Sequence, residues 1–288
     1  MAGADQASRA PPTERGPAGR REAVARIVSA CILAPVAIAA AYLGGAPFVL
    51  FWGVAAVGIW WEWARLSAGS SAQMVLILGT AALVAATIVP LVGPSWGALA
   101  CLATGLCVVA IAAPSNGRLS VAGGVLYAGA ALVAPTALRR DAELGFTAII
   151  FLFGIVWATD ILAYFVGRAA GGPKLAPHLS PNKTWSGAIA GACGAMLAAI
   201  AVALTADLGH AAKIALIGFA LSCVSQAGDL FESAFKRWYG AKDTGRIIPG
   251  HGGLMDRLDG FIAAAVAAAI LGALRGGADA PARGLMVW

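Results

Sequence analysis

Charge is what this sequence has least of. Of its 288 residues only 12% are Asp, Glu, Lys or Arg, about half of the ~25% that a soluble domain carries. A chain so poor in charge cannot cover a water-facing surface, and 60% of it is hydrophobic by type. Soft metal ligands are scarce too. The five cysteines (Cys31, Cys101, Cys107, Cys193, Cys223) lie singly inside apolar runs without a CxxC pair, and there are three histidines. The cysteines therefore read as small buried hydrophobes rather than zinc ligands or disulfide partners. No GxxxxGK[ST] and no GxGxxG occur, so neither a P-loop nor a Rossmann nucleotide site is built here. No internal repeat is visible, which weighs against a transporter built from inverted halves.

What is present is a series of apolar stretches long enough to span a bilayer, each near the ~20 residues a spanning helix needs. They are Ile27–Leu43, Phe48–Leu66, Met74–Val92, Trp96–Ala113, Leu119–Leu138, Phe146–Val166, Trp185–Leu204, Ala211–Leu230 and Leu258–Leu274. The expected fold is all-α, a polytopic transmembrane bundle of about nine spans. Residues 1–22 read as a disordered basic tail, 23–143 as N-terminal transmembrane helices, 144–275 as a C-terminal transmembrane catalytic region and 276–288 as a short tail. The small residues Gly187, Gly191 and Gly194 mark a face that permits close helix contact.

The net charge of +6 is not a nucleic-acid footprint, since the Lys and Arg residues cluster in a few loops. With Arg9, Arg15, Arg20, Arg21 and Arg26 in the cytoplasm, alternation puts the polar loops 168–183 and 236–257 on that side too. Arg139 and Arg140 fall outside under this count and stand against it, partly offset by Asp141 and Glu143.

The chemistry concentrates in Gln226 to Gly260, with acids at both ends, bases through the middle and a Pro-Gly-His-Gly-Gly turn. On a helix Asp229, Glu232 and Lys236 share one face at steps of three and four. Asp256 and Asp259, three apart, share a face at the opening of the ninth span, where the helix dipole alone would also favour them. Glycines 240, 245, 250, 252 and 253 allow the backbone to approach a ligand. Outside this stretch, Asp160 is an acid inside an apolar helix, costing at least ~2.5 kcal/mol at the bilayer centre unless paired or facing a polar cavity. In SPNKTWSG, Thr184 is the expected N-cap of the seventh helix and Lys183 stands where a phosphate would be welcome. Oxygen-rich acids point to Mg2+, and bases beside them to phosphoryl or nucleotidyl transfer.

Ser233, Phe235-Lys236-Arg237, Lys242-Asp243, Gly245, Ile248-Pro249, His251-Gly252-Gly253-Leu254 and Asp256-Arg257-Leu258-Asp259 together resemble the signature of the phosphatidate cytidylyltransferase (CDP-diacylglycerol synthase) family. Asp229 in GDLFES, Lys183 in SPNKTW and Asp160 in TDILAYFVGR also resemble family positions; Ile161 and Ser186 depart from it, where many members carry Ser or Thr and an acid. The likeness is clear from about residue 155 to 261.

The resemblance implies an enzyme of the cell membrane that converts CTP and phosphatidate to CDP-diacylglycerol and pyrophosphate. Its implied metal ligands for Mg2+ are Asp229 and Asp256, with Asp160 and Asp259 as further carboxylates, and there is room for a monovalent cation beside the Mg2+. Lys183, Lys236, Arg237, Lys242, His251 and Arg257 are the implied phosphate-binding residues. Asp229, Asp256, Lys183, His251 and Arg257 are the implied catalytic set. A homodimer is implied as well.

If one site uses both polar loops, they must face the same side of the membrane. A single cysteine placed in each, on a background lacking the five native ones, is expected to react with impermeant maleimide from one face only. Labelling from opposite faces would rule out a shared site.

Overall fold

The computed structural model describes residues 17–69, 72–94, 96–245, 247 and 252–288. Its helices are α1 (Pro17–Leu43), α2 (Gly45–Ser67), α3 (Ala72–Val92), α4 (Gly97–Ala112), α5 (Arg118–Arg139), α6 (Gly145–Ala170), α7 (Trp185–Thr205), α8 (Ala211–Trp238), α9 (Met255–Gly276) and α10 (Pro281–Met286). Seven of them are long and apolar enough to cross a membrane: α2, α3, α5, α6, α7, α8 and α9. Two more, α4 and the Cys31–Leu43 part of α1, are apolar but shorter. The expected set of about nine thus resolves into seven full-length and two short apolar helices.

Four expectations change. An antiparallel hairpin, β1 (Lys174–Ala176) and β2 (Ser180–Thr184), interrupts the all-α fold, with Lys174 opposite Thr184 and Ala176 opposite Ser180. Its cause is local. Gly171 and Gly172 take φ of 61° and 101° and end α6, and Pro173 and Pro181 resist a helix in between. At the amino end, α1 starts at Pro17, inside the stretch expected as a disordered tail; proline suits the first turn of a helix, where no acceptor awaits its missing N–H. Residues 1–16 lie outside the described residues. The helix α8 does not stop at Leu230 but runs to Trp238, carrying the helical face of Asp229, Glu232 and Lys236 past the apolar span.

The fourth change is at the carboxyl end, where residues 276–288 are not a free tail. Pro281, Ala282, Leu285 and Met286 are buried. Arg275 donates to the Gly284 and Val287 carbonyls at 2.5 and 3.0 Å and lies over the Trp288 ring at 3.5 Å.

Small residues set the helix contacts of the C-terminal half. A Cβ on Gly187 would lie 2.6 Å from the Ala163 carbonyl oxygen, and one on Gly191 2.8 Å from that of Thr159. The face read from the sequence is therefore the α6–α7 contact, with backbones at a distance only glycine allows. Gly228 meets the Asp259 carbonyl across α8 and α9 in the same way. Large aromatics join the two halves. Trp52 of α2 stacks on Phe261 of α9 with centroids 4.9 Å apart, and Trp63 on Phe235 of α8 at 3.8 Å.

Arg139 explains its own position against the charge count. It donates to the Ala41 and Tyr42 carbonyls at 2.5 and 3.1 Å. A cation at those last carbonyls of α1 completes a helix end instead of marking a loop.

Gly187→Ala is expected to lower thermal stability in detergent by about 1–3 kcal/mol, the usual cost of overpacking. The control is Gly154→Ala, whose new Cβ would stand 3.7 Å from that of Ala198; it should be neutral or stabilising.

Candidate active site

Two lysine–carboxylate groups sit along α8, one on each side of its polar turn. In the first, Lys183 Nζ reaches Asp229 Oδ2 at 2.7 Å. Lys183 comes from the end of β2, just before Thr184, whose hydroxyl accepts from Gly187 N at 3.2 Å and caps α7 as expected. Both members line a cavity of about 640 Å3 with Asp160, Tyr164, Arg168 and Asn182. Asp160 therefore faces a cavity with other polar side chains in its wall. Asp259, one turn into α9, lies within electrostatic reach of Asp229, Lys183 and Asp160, and Arg257 within reach of Asp160. Close approach of α8 and α9 makes this meeting possible: a Cβ on Gly260 would stand 2.6 Å from both Asp229 Oδ1 and Ser225 Oγ.

In the second group Lys236 lies between two acids, 2.7 Å from Glu232 and 2.8 Å from Asp256. Glu232 and Lys236 are i,i+4 on α8, the shared face read from the sequence. Asp256 Oδ1 takes the lysine, while Oδ2 accepts from Thr244 N at 3.2 Å and Gly253 N at 3.0 Å. Glu232 is buried, and its Oε1 has no hydrogen-bond partner among the described residues.

The other sequence-derived residues stand further out. Arg237 is exposed and donates to the Ala241 carbonyl at 3.3 Å, closing the end of α8. Lys242 and Arg257 are exposed. His251 lies outside the described residues.

Asp229 and Asp256 each hold a lysine of their own. Among the described residues no three His, Cys, Asp or Glu side chains converge closely enough to hold an ion by themselves. The donor set nonetheless fits Mg2+, which binds through one or two carboxylates plus water and substrate phosphates and needs no protein cage. The acids supply only hard oxygens, and the unpartnered Glu232 oxygen is one more.

One residue was missed. Glu62 lies in α2 within Trp60-Trp61-Glu62-Trp63 and is fully buried. Its carboxylate accepts from Leu254 N and Met255 N, both at 2.8 Å, and from Thr244 Oγ1 at 3.1 Å. The signal was available: an acid inside an apolar span is the feature that singled out Asp160.

Apolar spans, a cavity and paired lysines and acids place a charged cluster among membrane-spanning helices. Comparison with known proteins narrows this. The model of the cytidylyltransferase family matches residues 24–274. The chain is 41% identical over 259 residues to a protein of Brucella suis biovar 1 (strain 1330), covering 89% of this chain and 95% of that one. It is 42% identical over 252 residues to one of Brucella abortus biovar 1 (strain 9-941), covering 86% and 93%. A Staphylococcus saprophyticus protein matches at 45% over 115 residues, 40% of this chain. All three are named phosphatidate cytidylyltransferase. The chain belongs to the cytidylyltransferase family and is a nucleotidyltransferase with membrane-spanning helices.

Lys236 pairs with both acids of its group. Lys236→Met is expected to destabilise the protein by about 3 kcal/mol, as loss of one partner of a buried pair does. Adding Glu232→Gln should recover part of that loss in chemical unfolding. Equal stability of Lys236→Met and wild type would mean that the acids need no counter-charge.

Proposed function

We propose that this enzyme transfers the cytidylyl group of CTP to phosphatidate, giving CDP-diacylglycerol and pyrophosphate. The supporting observation is that the signature residues Lys183, Asp229, Lys236 and Asp256 form two adjacent ion-paired groups, one lining a cavity of about 640 Å3. The names of the relatives supply the substrate.

A phosphatidate phosphate oxygen attacks the α-phosphorus of CTP, the bond from that phosphorus to the β-phosphate oxygen breaks, and pyrophosphate leaves. A phosphate monoester has its second pKa at about 6, so the nucleophile is already largely ionised at neutral pH and no protein base is required. The obstacle is repulsion between anions. Lys183 and Lys236 are placed to exchange a carboxylate for a phosphate and so neutralise charge as it gathers on the leaving group. Lys242, Arg237 and Arg257, on the exposed side, draw the nucleotide in from water. Asp229 and Asp256, with Asp160 or Asp259, are the residues that would hold Mg2+, which when bound neutralises triphosphate and pyrophosphate charge. A monovalent cation beside it belongs to the same proposal, as does a phosphate contact from His251.

The reading includes nine membrane crossings, with the two short apolar helices crossing as well, both polar loops in the cytoplasm, residence in the cell membrane and assembly as a homodimer. A site at the interface takes CTP from water while the lipid tails stay in the bilayer.

The test is transfer of label from [α-32P]CTP to a lipid product in detergent, with and without phosphatidate. No labelled lipid, or label independent of phosphatidate, would sink the assignment. Asp229→Asn and Asp256→Asn are each expected to lower the rate about a thousandfold or more, since several kcal/mol of charge stabilisation go with them. The double variant should be no worse, as parts of one unit fail together.

A further inference from the structure

Helix α9 begins at Met255, and the first N–H groups of any helix have no acceptor within it. Two carboxylates gather the N–H groups at this turn. Asp256 takes Gly253 N. Glu62 takes Leu254 N through Oε1 and Met255 N through Oε2, and Oε2 also accepts from Thr244 Oγ1. Glu62 lies 192 and 193 residues upstream of these two amides, on a different helix. The same carboxylate therefore reaches Thr244 and Leu254, on either side of the glycine-rich loop 245–253.

The loop is shaped to receive it. A Cβ on Gly245 would stand 2.6 Å from Glu62 Oε1, and one on Gly253 2.8 Å from Oε2. Only glycine lets the backbone lie so close to that carboxylate. The Leu254 side chain in turn packs against Gly58, one turn before Glu62, where a Cβ would meet it at 2.8 Å. Asp256 depends on the same strands of chain, since its Oδ2 accepts from Thr244 N and Gly253 N. Two carboxylates thus close the loop, and Glu62 is the one that is fully buried.

We propose that Glu62 is a positioning residue for the reaction: from α2 it pins both ends of the glycine-rich loop and so fixes where Asp256 stands. Its role is to hold the loop, and the inference rests on the nucleotidyl transfer proposed above.

The experiment compares Glu62→Gln, Glu62→Ala and Thr244→Val with wild type in detergent, by amide hydrogen exchange and by steady-state kinetics. Glutamine keeps one acceptor and turns an amide group toward the remaining donors, so protection of residues 253–256 should weaken in it and vanish in Glu62→Ala. Exchange in α3 and α4 should stay as in wild type. The rate constant kcat should fall about 10- to 100-fold, as for displaced supporting groups, with KM for CTP within about threefold. Thr244→Val loses one bond to the carboxylate and should show a smaller fall in kcat with faster exchange near residue 244. Unchanged protection in Glu62→Gln, or lost protection with unchanged kcat, overturns the proposal. If the Glu62 variants do not fold, Thr244→Val decides, and wild-type exchange and turnover in it overturn the proposal. Exchange needs no substrate. A wild type that makes no lipid product would refute the function while the exchange data still judged the tether.

Discussion

A carboxylate among apolar helices cannot be left alone: taking it from water costs several kcal/mol unless a cation or hydrogen-bond donors receive it. The layout of this protein follows from how each buried acid is received. Asp229 has Lys183 from the hairpin. Glu232 and Asp256 share Lys236 from within α8. Among the described residues Glu62 has no lysine and is met by backbone N–H groups. Three solutions to one electrostatic demand bring α2, the hairpin, α8 and α9 to the same place. That place is the site proposed for the anionic substrates.

The acids can be gathered because the helices that carry them come close. Glycines on α7, α8 and α9 let backbone meet backbone, and the carboxylates are thereby set against neighbouring helices rather than toward lipid. In lipid the association of helices gains little from apolar burial and relies on such close packing and on polar contacts. Wide aromatic surfaces then join the two halves, as Trp52 does on Phe261.

Much of this was legible beforehand. The apolar period gave the spans, since length against bilayer thickness is a strong constraint. The shared face of Glu232 and Lys236, the Thr184 cap and the small-residue face of α7 were readable because each depends on spacing within one helix. What escaped depends on contacts between distant segments or on weak local signals. The hairpin carries only eight strand residues and no alternating apolar pattern. The docked α10 is too short to announce itself and is held by Arg275 and its own buried apolar face. Arg139 looked like a misplaced loop charge because its acceptors lie 98 and 97 residues away. Glu62 had a local signal, an acid in an apolar span, but its partners lay in the other half of the chain. The pairing of Asp229 with Lys183, rather than directly with Asp256, was equally invisible to spacing.

The distance in sequence between Glu62 and its partners has a meaning for how the protein is made. The chain is synthesised from its amino end, so α2 enters the membrane long before the loop exists. Thr244, the nearest of the three donors in sequence, follows 182 residues later. Until then the acid has none of its final partners, at a cost of at least ~2.5 kcal/mol if it sits at mid-membrane. Protonation, a seat near the headgroups or shelter against water would each relieve that cost through most of translation. The start of α9 then supplies the backbone donors that receive the acid in the finished protein.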